Sequence, residues 1–347
     1  MTAKPLLLSD VKMPWFGAKT GYELLPHYLE GFGQADIIAP SGGAANLLLG
    51  KSAAFLLGHG VTNHQLGGGR ARAALRMCLT GRPLHLLYAE HHLPHWGDYP
   101  PCFRDRSLLT IHQPVGWWDK ARLRSLSRFR NVILLSSRDA ETFRYHLMTG
   151  SRISVIRHGV DTEFFHPAAT HDADRILFNG VHLRNVGMLS RVVTMLLNRH
   201  PGLQIDLLVP QARRQGEDFS RLGSLPGITW HEGLDDMELR SLYQRSRLLL
   251  LPLEDSSANT AIVEALACGL PVLTTDVGGI RDYGGRTVFP VVPNNDDVAM
   301  ADLASRYLED SPFRQEIACA SRRFALEHLA WPLVASLHRE LYNHFWK

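Results

Sequence analysis

The chain has 347 residues, of which 45% are apolar, and a formal net charge of +3. This length exceeds one ordinary compact core and predicts two domains. The N-terminal stretch MTAKPLLLSD holds only three leucines before Ser9 and Asp10, and no apolar run approaches the roughly 20 residues that span a bilayer. We therefore expect a cytoplasmic protein that contacts the inner membrane face peripherally at most.

Short apolar runs alternate with stretches of helical length in the first half of the chain. Helices are predicted at TGYELLPHYLEGF and WWDKARLRSLSRF. Strands that alternate with helices indicate a mostly parallel sheet covered on both faces. The predicted strands are KPLLLSD, ADIIAP, SAAFLLG, LHLLYAE, SLLTIHQP, NVILLSS and ISVIRHG.

The same pattern starts again after the irregular connector GVDTEFFHPAATHDADR. Helices are predicted near residues 188–199, 235–246 and 260–268, and Pro332 should bend or restart a helical C-terminal stretch. The second set of predicted strands is ILFNG, QIDLLVP, GITWHEG, RLLLLPL, PVLTTD and TVFPV. The sequence thus predicts two α/β lobes in series.

One helix of the second lobe combines a polar start with a carboxylate one turn further on. In LPLEDSSANTAIVEALACGLPV, Asn259 or Thr260 can cap a helix that stops near Cys268. The free N–H groups of such a start favour a diphosphate, and Glu264 is placed to accept hydrogen bonds from a sugar diol. The alternative partner for Glu264 is a nearby arginine in an ion pair.

This segment resembles the nucleotide-sugar-binding signature of glycosyltransferase family 4, a family of retaining enzymes with the GT-B fold. Glu264, the ACGLPV stretch and the Gly278–Gly279 turn match the family pattern, whereas Ser256 stands at the position of its first Glu. IRHGVDTEFFHP resembles the family's connection between lobes, and GITWHEGLDDMELRSLYQRSRLLLLP resembles its base-binding region.

The resemblance implies two Rossmann-like, doubly wound α/β domains that face a cleft. Residues 1–165 would form the acceptor domain and residues 166–325 the nucleotide-sugar donor domain. Residues 326–347 would form a C-terminal helix that crosses back to the first domain.

The resemblance also implies which residues bind the donor. In FNGVHLRNVG, Val181 and Val186 occupy the spacings where the family commonly has Arg and Lys, which leaves Arg184, with His182, to hold the diphosphate. A solvated loop cation is the alternative role for Arg184. The other donor-binding residues expected in the second lobe are Ser256, Asn259, Thr260, Ala261 and Glu264.

In the first lobe, MPWFGAKTGYELL resembles the family's glycine-containing loop, in which Gly17, Thr20 and Gly21 would let the backbone approach the donor. His112 ends a predicted strand, where the family often has a histidine beside the transferred sugar. A core or surface histidine is the alternative. His112, Arg184 and Glu264 are the expected catalytic residues.

The implied reaction moves a sugar, of hexosyl type, from a nucleoside-diphosphate sugar to an acceptor hydroxyl with retention at the anomeric carbon. The acceptor would be a glycan, a lipid-linked acceptor or a small molecule, and no nucleic acid is expected. We expect no cofactor and no metal requirement. The alternatives are a non-catalytic GT-B-like binding or scaffold subunit and a sugar-nucleotide epimerase.

The charge of the first half bears on the acceptor. Residues 1–165 hold 19 Lys+Arg against 12 Asp+Glu, a difference of +7, whereas residues 166–347 hold 18 against 22, a difference of −4. A basic first lobe predicts an anionic acceptor or contact with an anionic membrane; the alternative is a solvated basic face with no partner. Trp117 and Trp118 suit a membrane interface. The cations are Arg70, Arg72, Arg76, Arg82, Lys120, Arg122, Arg124, Arg128 and Arg130.

Overall fold

The computed structural model describes residues 4–9, 17–30, 35–39, 41–56, 64–168 and 174–346. Their contacts divide the chain into two compact units. The first unit comprises the described residues of 4–9, 22–157 and 331–346, and the second comprises 17–21 and the described residues of 158–330. Each unit is built on one parallel sheet.

The first unit contains a six-stranded sheet in the order β2-β1-β3-β4-β5-β6. All of its neighbouring strands run parallel, as buried strands joined by helical crossovers do. The central strands are leucine-rich and fully buried. The strands are β1 (Leu6–Leu8), β2 (Asp36–Ile38), β3 (Leu84–Leu86), β4 (Ser107–Ile111), β5 (Asn131–Leu134) and β6 (Arg152–Val155).

Seven helices of the first unit connect these strands. A 3-10 turn at Tyr22–Leu24 leads into the first of them. They are α1 (Leu25–Glu30), α2 (Ala44–Leu56), α3 (His64–Thr80), α4 (Ala89–Trp96), α5 (Pro101–Arg104), α6 (Lys120–Leu126) and α7 (Ala140–His146).

The second unit contains another parallel six-stranded sheet, in the order β12-β11-β10-β7-β8-β9. Its strands are β7 (Arg175–Asn179), β8 (Gln204–Leu208), β9 (Ile228–His231), β10 (Leu248–Leu251), β11 (Val272–Thr275) and β12 (Val291–Val292). Its helices are α8 (Val186–Arg199), α9 (Glu217–Ser224), α10 (Asp236–Arg245), α11 (Thr260–Ala267), α12 (Asp297–Glu309) and α13 (Ser311–Phe324).

In the C-terminal stretch one helix ends and another begins next to Pro332, as predicted. A π-helical segment, Ala325–Leu329, follows α13, and the last helix, α14 (Trp331–Phe345), begins with Pro332 in its first turn. A proline is tolerated there because the N–H groups of the first turn have no partner within the helix. Helix α14 belongs to the first unit. Two doubly wound α/β units with a returning C-terminal helix confirm the predicted fold class.

One predicted strand is wrong, and another, TVFPV, overlaps the observed strand β12 only at its last residue, Val291. The described residues of the SAAFLLG run, 52–56, form the end of α2 rather than a strand. The run continues the apolar stretch NLLLGK, and together they give α2 its 13 residues. Helix α2 packs tightly on α3, since a Cβ on Gly67 would lie 3.2 Å from Gly50 Cα. The apolar pattern of this run is compatible with a strand or a helix, and tertiary packing determines that it is helical.

Candidate functional site

Helix α11 follows the carboxyl end of β10 through a loop of small and acidic residues. Asn259 has an extended backbone, and its side-chain oxygen accepts a hydrogen bond from the Ile262 N–H at 3.3 Å, so it is the N-cap. Gly269, with φ +63°, turns the chain immediately after Cys268. The predicted helix and its cap are therefore present at the edge of the sheet.

Glu264 lies one turn inside α11 and is only 2% exposed. The Thr20 hydroxyl donates to Glu264 Oε1, and the Tyr243 hydroxyl donates to Glu264 Oε2 at 2.8 Å. Asn179 Nδ2 in turn donates to the Tyr243 hydroxyl oxygen at 2.7 Å. Among the described residues no cation lies within ion-pair distance of Glu264, so two hydroxyls take the place of the alternative arginine.

Burial governs the charge of Glu264. It raises the pKa of the Glu264 carboxyl to about 7, although the hydrogen bonds from Thr20 and Tyr243 act in the opposite direction. The negative charge of Asp236 adds a smaller increase to this pKa. Glu264 is thus a carboxyl that exchanges its proton near neutrality and is surrounded by hydrogen-bonding hydroxyls.

Arg184 lies beside the start of α11. Its Nη2 donates to Asn259 Oδ1 at 3.5 Å, its Nε to the Asn179 carbonyl at 3.1 Å and its Nη1 to the His182 carbonyl at 2.8 Å. Burial lowers the pKa of Arg184 to about 10, so the guanidinium stays charged at neutral pH. A half-buried cation fixed by three acceptors differs from the solvated loop cation that was the alternative.

The loop before α11 is shaped by the Gly278–Gly279 turn. Ser256 is buried, its N–H donates to Asp255 Oδ1 at 2.8 Å, and its carbonyl accepts from the Gly279 N–H at 2.6 Å. Gly278 has φ +52°, and a Cβ there would collide with the Ser256 carbonyl. The glycine therefore permits the close approach that holds Ser256 in the loop.

Residues 17–21 belong to the second unit, and three consecutive residues of this segment contact acidic side chains of that unit. The Ala18 N–H donates to Asp236 Oδ2 at 2.8 Å, Lys19 Nζ lies 3.4 Å from Asp161 Oδ2, and the Thr20 hydroxyl donates to Glu264. A side chain on Gly17 would collide with Asp236, and Gly21 adopts φ +88°. Gly21 is thus required by its backbone conformation, whereas Gly17 makes room for the Asp236 side chain.

His112 follows β4 in the first unit. Its ring stacks on Tyr88 with centroids 4.4 Å apart and meets Tyr22 edge-on at 4.8 Å. Its Nε2 lies 2.7 Å from the Leu87 carbonyl, which identifies this nitrogen as a donor. The carboxylate of Glu90 accepts from the backbone N–H of His112 and from that of Gln113 at 2.8 Å. The imidazole is therefore fixed in position and tautomer.

The structure brings most of the predicted residues together in the second unit. Thr20 and Glu264 are bonded directly, and Arg184 meets Asn259 at the start of the helix. The remaining second-unit candidates are the exposed His182, the buried Ser256 and Ala261, the half-buried Thr260, and Gly17 and Gly21 of the 17–21 segment. His112 belongs to the first unit.

Sequence analysis missed several residues that complete this arrangement. Tyr243 and Asn179 form a hydrogen-bonded chain to Glu264, Asp236 binds the Ala18 N–H, and Glu90 binds the backbone at His112. Tyr243 could have been found from the sequence, because it lies on the buried face of α10 and a buried tyrosine hydroxyl needs a hydrogen-bond partner. For the other three residues the sequence contains no comparable signal.

Comparison with known proteins bears on the fold and on the class of protein. Residues 174–310 match the protein family described as "Glycosyl transferases group 1". The structure superposes on that of Anabaena Alr3699/HepE in complex with UDP-glucose over 99% of this chain and 100% of that chain, with a TM-score of 0.75 and 14% identity. The fold is that of the GT-B glycosyltransferases, and the predicted resemblance to family 4-like members of that class is confirmed.

Two curated relatives are similar in sequence. The chain is 26% identical over 229 residues to D-inositol 3-phosphate glycosyltransferase of Streptomyces avermitilis, with 58% of this chain and 49% of that protein covered. It is 24% identical to alpha-maltose-1-phosphate synthase of Mycolicibacterium smegmatis, with 76% of each covered. The chain thus spans about half the length of the first relative and three quarters of the second.

Two further observations concern the described residues alone. None of their helices is long and apolar enough to cross a bilayer. They also contain no group of three or more His, Cys, Asp or Glu side chains arranged to hold a metal ion.

Proposed function

We propose that the protein is a retaining glycosyltransferase that moves a sugar, of hexosyl type, from a nucleoside-diphosphate sugar to an acceptor hydroxyl. The observation that carries the proposal is the arrangement at α11, where Arg184 meets the N-cap Asn259 and the buried Glu264 lies one turn further on. This arrangement lies within the segment that matches the glycosyltransferase family.

The start of α11 and Arg184 are proposed to bind the donor diphosphate. The N–H groups of the first helical turn, those of Thr260 and Ala261 among them, have no partner within the helix and favour an anion. The Arg184 guanidinium uses three of its five N–H groups on protein oxygens, which leaves two for phosphate. As charge develops on the leaving diphosphate, both groups stabilise it without reorganisation.

Glu264 is proposed to bind the ribose diol. Thr20 and Tyr243 already present hydroxyls to its two oxygens, so the carboxylate is oriented for acceptance from O–H donors. A ribose hydroxyl in the place of the Thr20 hydroxyl preserves the hydrogen bond to Oε1. A diol therefore binds to Glu264 without leaving either carboxylate oxygen unpaired.

The proposed reaction proceeds on one face of the sugar and needs no protein nucleophile. The bond from the anomeric carbon to the diphosphate oxygen breaks, and a bond to the acceptor oxygen forms on the same side. The acceptor proton passes to an oxygen of the departing diphosphate. His112, with its tautomer fixed by the Leu87 carbonyl, is proposed to bind a hydroxyl of the transferred sugar or the leaving phosphate.

The relatives support this choice and suggest the first probe. One curated relative is named a D-inositol 3-phosphate glycosyltransferase and the other an alpha-maltose-1-phosphate synthase, and the Anabaena protein was solved in complex with UDP-glucose. We therefore choose UDP and UDP-glucose as first ligands, with ADP and GDP for comparison. The acceptor is proposed to be a glycan, a lipid-linked acceptor or a small molecule, with neither metal nor cofactor required, because Arg184 and the helix start supply the positive charge.

Substitution of Arg184 tests the diphosphate assignment. We expect Arg184→Ala to weaken nucleoside-diphosphate binding by about 1.5–3 kcal/mol, the usual contribution of a hydrogen bond to a charged group. Isothermal titration calorimetry measures this loss. The control is Arg323→Ala, since Arg323 is exposed near the end of α13. Arg213 and Arg214 are poorer controls, because Arg213 lowers the pKa of His182 and Arg214 packs on the Trp230 ring. Equal effects of Arg184→Ala and Arg323→Ala would reject the assignment.

Slow donor hydrolysis separates the enzyme from the alternatives. A transferase without acceptor releases nucleoside diphosphate and free sugar at a low rate, and the released sugar keeps the anomeric configuration of the donor when it is first detected by NMR. Release of an isomeric sugar nucleotide instead would indicate an epimerase. Tight nucleotide binding with neither product would indicate the binding or scaffold subunit.

A further inference from the structure

One long stretch of the first unit contains no acidic residue. From residue 37 to residue 89 the sequence has no Asp or Glu, although Asp36 and Glu90 stand at its two borders. The same stretch contains helices α2 and α3. Five cations lie in it: Lys51, Arg70, Arg72, Arg76 and Arg82. Anionic surfaces therefore meet no repelling charge from this part of the chain.

Helices α2 and α3 form a tightly packed hairpin that leaves leucines in solvent. The Gly-rich start of α3 packs against α2, since a Cβ on Gly67 or Gly68 would meet Gly50 or Asn46. The glycines and Asn46 occupy the buried side. The leucines on the outer side are Leu48 at 63% exposed, Leu49 at 42%, Leu75 at 55% and Leu79 at 77%.

The exposed leucines of α3 are accompanied by cations. Leu75 and Leu79 are one turn apart on the same face of the helix, and Arg76 lies three residues before Leu79 and is exposed. The hydrogen bond from Arg82 lowers the pKa of Asp36, and the charges of Lys4 and Arg76 lower it further. Arg82 forms the ion pair with Asp36. The end of α3 therefore combines apolar side chains with an excess of positive charge.

The other surface that the sequence predicted for membrane contact is a poor candidate. Trp118 is buried and packs edge-on against Phe143, with ring centroids 5.4 Å apart, so the prediction of an interfacial Trp118 is wrong. The α6 region also carries its own acids. Arg122, Arg128 and Arg130 pair with Asp119, Asp98 and Asp105. Arg70, predicted on the basic face, is buried as well.

We propose that the α2–α3 hairpin docks the protein onto an anionic lipid bilayer. The exposed leucines enter the boundary between headgroups and acyl chains, while Lys51 and Arg76 contact anionic headgroups. Charge favours this occupant over a second copy of the chain, because two copies of a hairpin without acids repel each other at a self-complementary interface. The inference goes beyond the proposed function, since it concerns where the protein acts rather than what it transfers.

Co-sedimentation with vesicles tests the proposal in the absence of any nucleotide, so its result is independent of the proposed transferase activity. The probes are vesicles with phosphatidylglycerol and vesicles of phosphatidylcholine alone, at low and high salt. We expect binding to the anionic vesicles at low salt. Replacement of the four exposed leucines by serine should reduce that binding at least tenfold, and so should high salt, which screens surface attraction.

Matched variants distinguish the hairpin from a general surface effect. Leu337→Ser is the control, because Leu337 is an exposed leucine of the same unit, on α14. Lys51→Gln with Arg76→Gln should weaken binding to anionic vesicles while far-ultraviolet circular dichroism stays unchanged. The proposal is overturned if anionic vesicles are not bound at low salt, or if the leucine variant binds as well as Leu337→Ser. A concentration-dependent dimer that the leucine variant abolishes, without vesicle binding, would assign the hairpin to a second copy.

Discussion

Glu264 shows how one buried carboxyl is maintained inside an apolar helix. It is flanked by Val263, Ala265 and Leu266, all fully buried, and its two oxygens accept from Thr20 and Tyr243. Two neutral donors compensate only part of the cost of burying a charge, and for this reason the pKa of Glu264 is raised. The site is therefore less stable with Glu264 ionised than with Glu264 protonated.

The pH dependence of stability follows from this pKa. The pKa of Glu264 is raised from 4.5 to about 7, so its contribution to stability is fully present below pH 4.5 and is lost as the pH rises through 7. We expect the free energy of unfolding of the wild type, relative to Glu264→Gln, to fall between pH 4.5 and pH 7 by at most about 1.4 kcal/mol per pH unit. Urea unfolding of both proteins across this range measures the difference. A difference that rises with pH would contradict the prediction.

The Tyr243 hydroxyl offers a second test at this scale. Tyr243→Phe removes one donor from Glu264 and one acceptor from Asn179, so we expect a loss of about 1–3 kcal/mol in the free energy of unfolding. The matched control is Tyr307→Phe in the same unit. The Tyr307 hydroxyl is buried with no hydrogen-bond partner among the described residues, so its removal should be neutral or stabilising. Similar losses in both variants would mean that the bond to Glu264 contributes nothing.

The sequence predicted those site residues whose role depends on their near neighbours in the chain. Asn259 caps a helix and Glu264 lies at a fixed spacing behind it, so both followed from the local pattern. The hydrogen bond between Thr20 and Glu264 joins residues 244 positions apart. The hydrogen bond between Tyr243 and Glu264 joins helix α10 to helix α11. Such contacts depend on the tertiary fold, and local sequence patterns do not predict them.

At the scale of elements, α14 completes the first unit through a buried polar network. His338 Nδ1 lies 2.7 Å from the Val334 carbonyl, so it is the protonated nitrogen, and Nε2 then accepts from the Tyr22 hydroxyl at 2.8 Å. Tyr342 contacts His85 Nδ1 at 2.7 Å, and Thr110 contacts His85 Nε2 at 2.7 Å. The helix is thus hydrogen-bonded to β3 at His85, and His85 in turn is hydrogen-bonded to Thr110 of β4.

This network predicts acid sensitivity. Burial lowers the pKa of His338 from 6.5 to about 4, so its contribution to stability is present above pH 6.5 and is lost as the pH falls towards 4. We expect the free energy of unfolding of the wild type, relative to His338→Gln, to fall over this range by at most about 1.4 kcal/mol per pH unit. Thermal unfolding at pH 4.5, 5.5, 6.5 and 7.5 compares the two proteins. A constant difference would show that His338 titrates normally.

The elements themselves were mostly predictable, for physical reasons. Apolar runs such as RLLLLPL and PVLTTD are bounded by polar or turn residues and are short, as buried parallel strands are. The run SAAFLLG had the same appearance but belongs to α2, whose partner α3 allows a close approach at Gly67. Apolar composition alone does not separate the two structures.

At the scale of the molecule, the first unit is discontinuous in sequence and the second is nearly continuous. The chain leaves the first unit after residue 157 and returns at residue 331. Within the second unit the two crossing points lie side by side, since Val160 pairs with Ala330 and the Val160 N–H donates to the Leu329 carbonyl at 2.8 Å. The second unit, apart from residues 17–21, is therefore an insertion in the first.

Truncation tests this organisation. A chain that ends at residue 330 lacks Trp331, His338 and Tyr342, which contact Tyr22 and His85. We expect faster hydrogen exchange throughout β3, β4 and β5 but unchanged protection in β7, β10 and β11. Mass spectrometry of peptic fragments measures both sets of strands. Equal loss of protection in both units would show that they unfold as one.

The insertion also sets an order of events during synthesis. Synthesis completes the second unit at residue 330, while β3 and β4 of the first unit still lack α14. The hydrogen-bond partner of His85, Tyr342, lies 257 positions later in the chain and is synthesised after the second unit. Domains generally fold as units when they emerge, so the second unit should reach its native state on the ribosome while the first unit is unfinished. In the nascent chain, the surface of the first unit that α14 covers therefore stays exposed until the C-terminal residues have been synthesised.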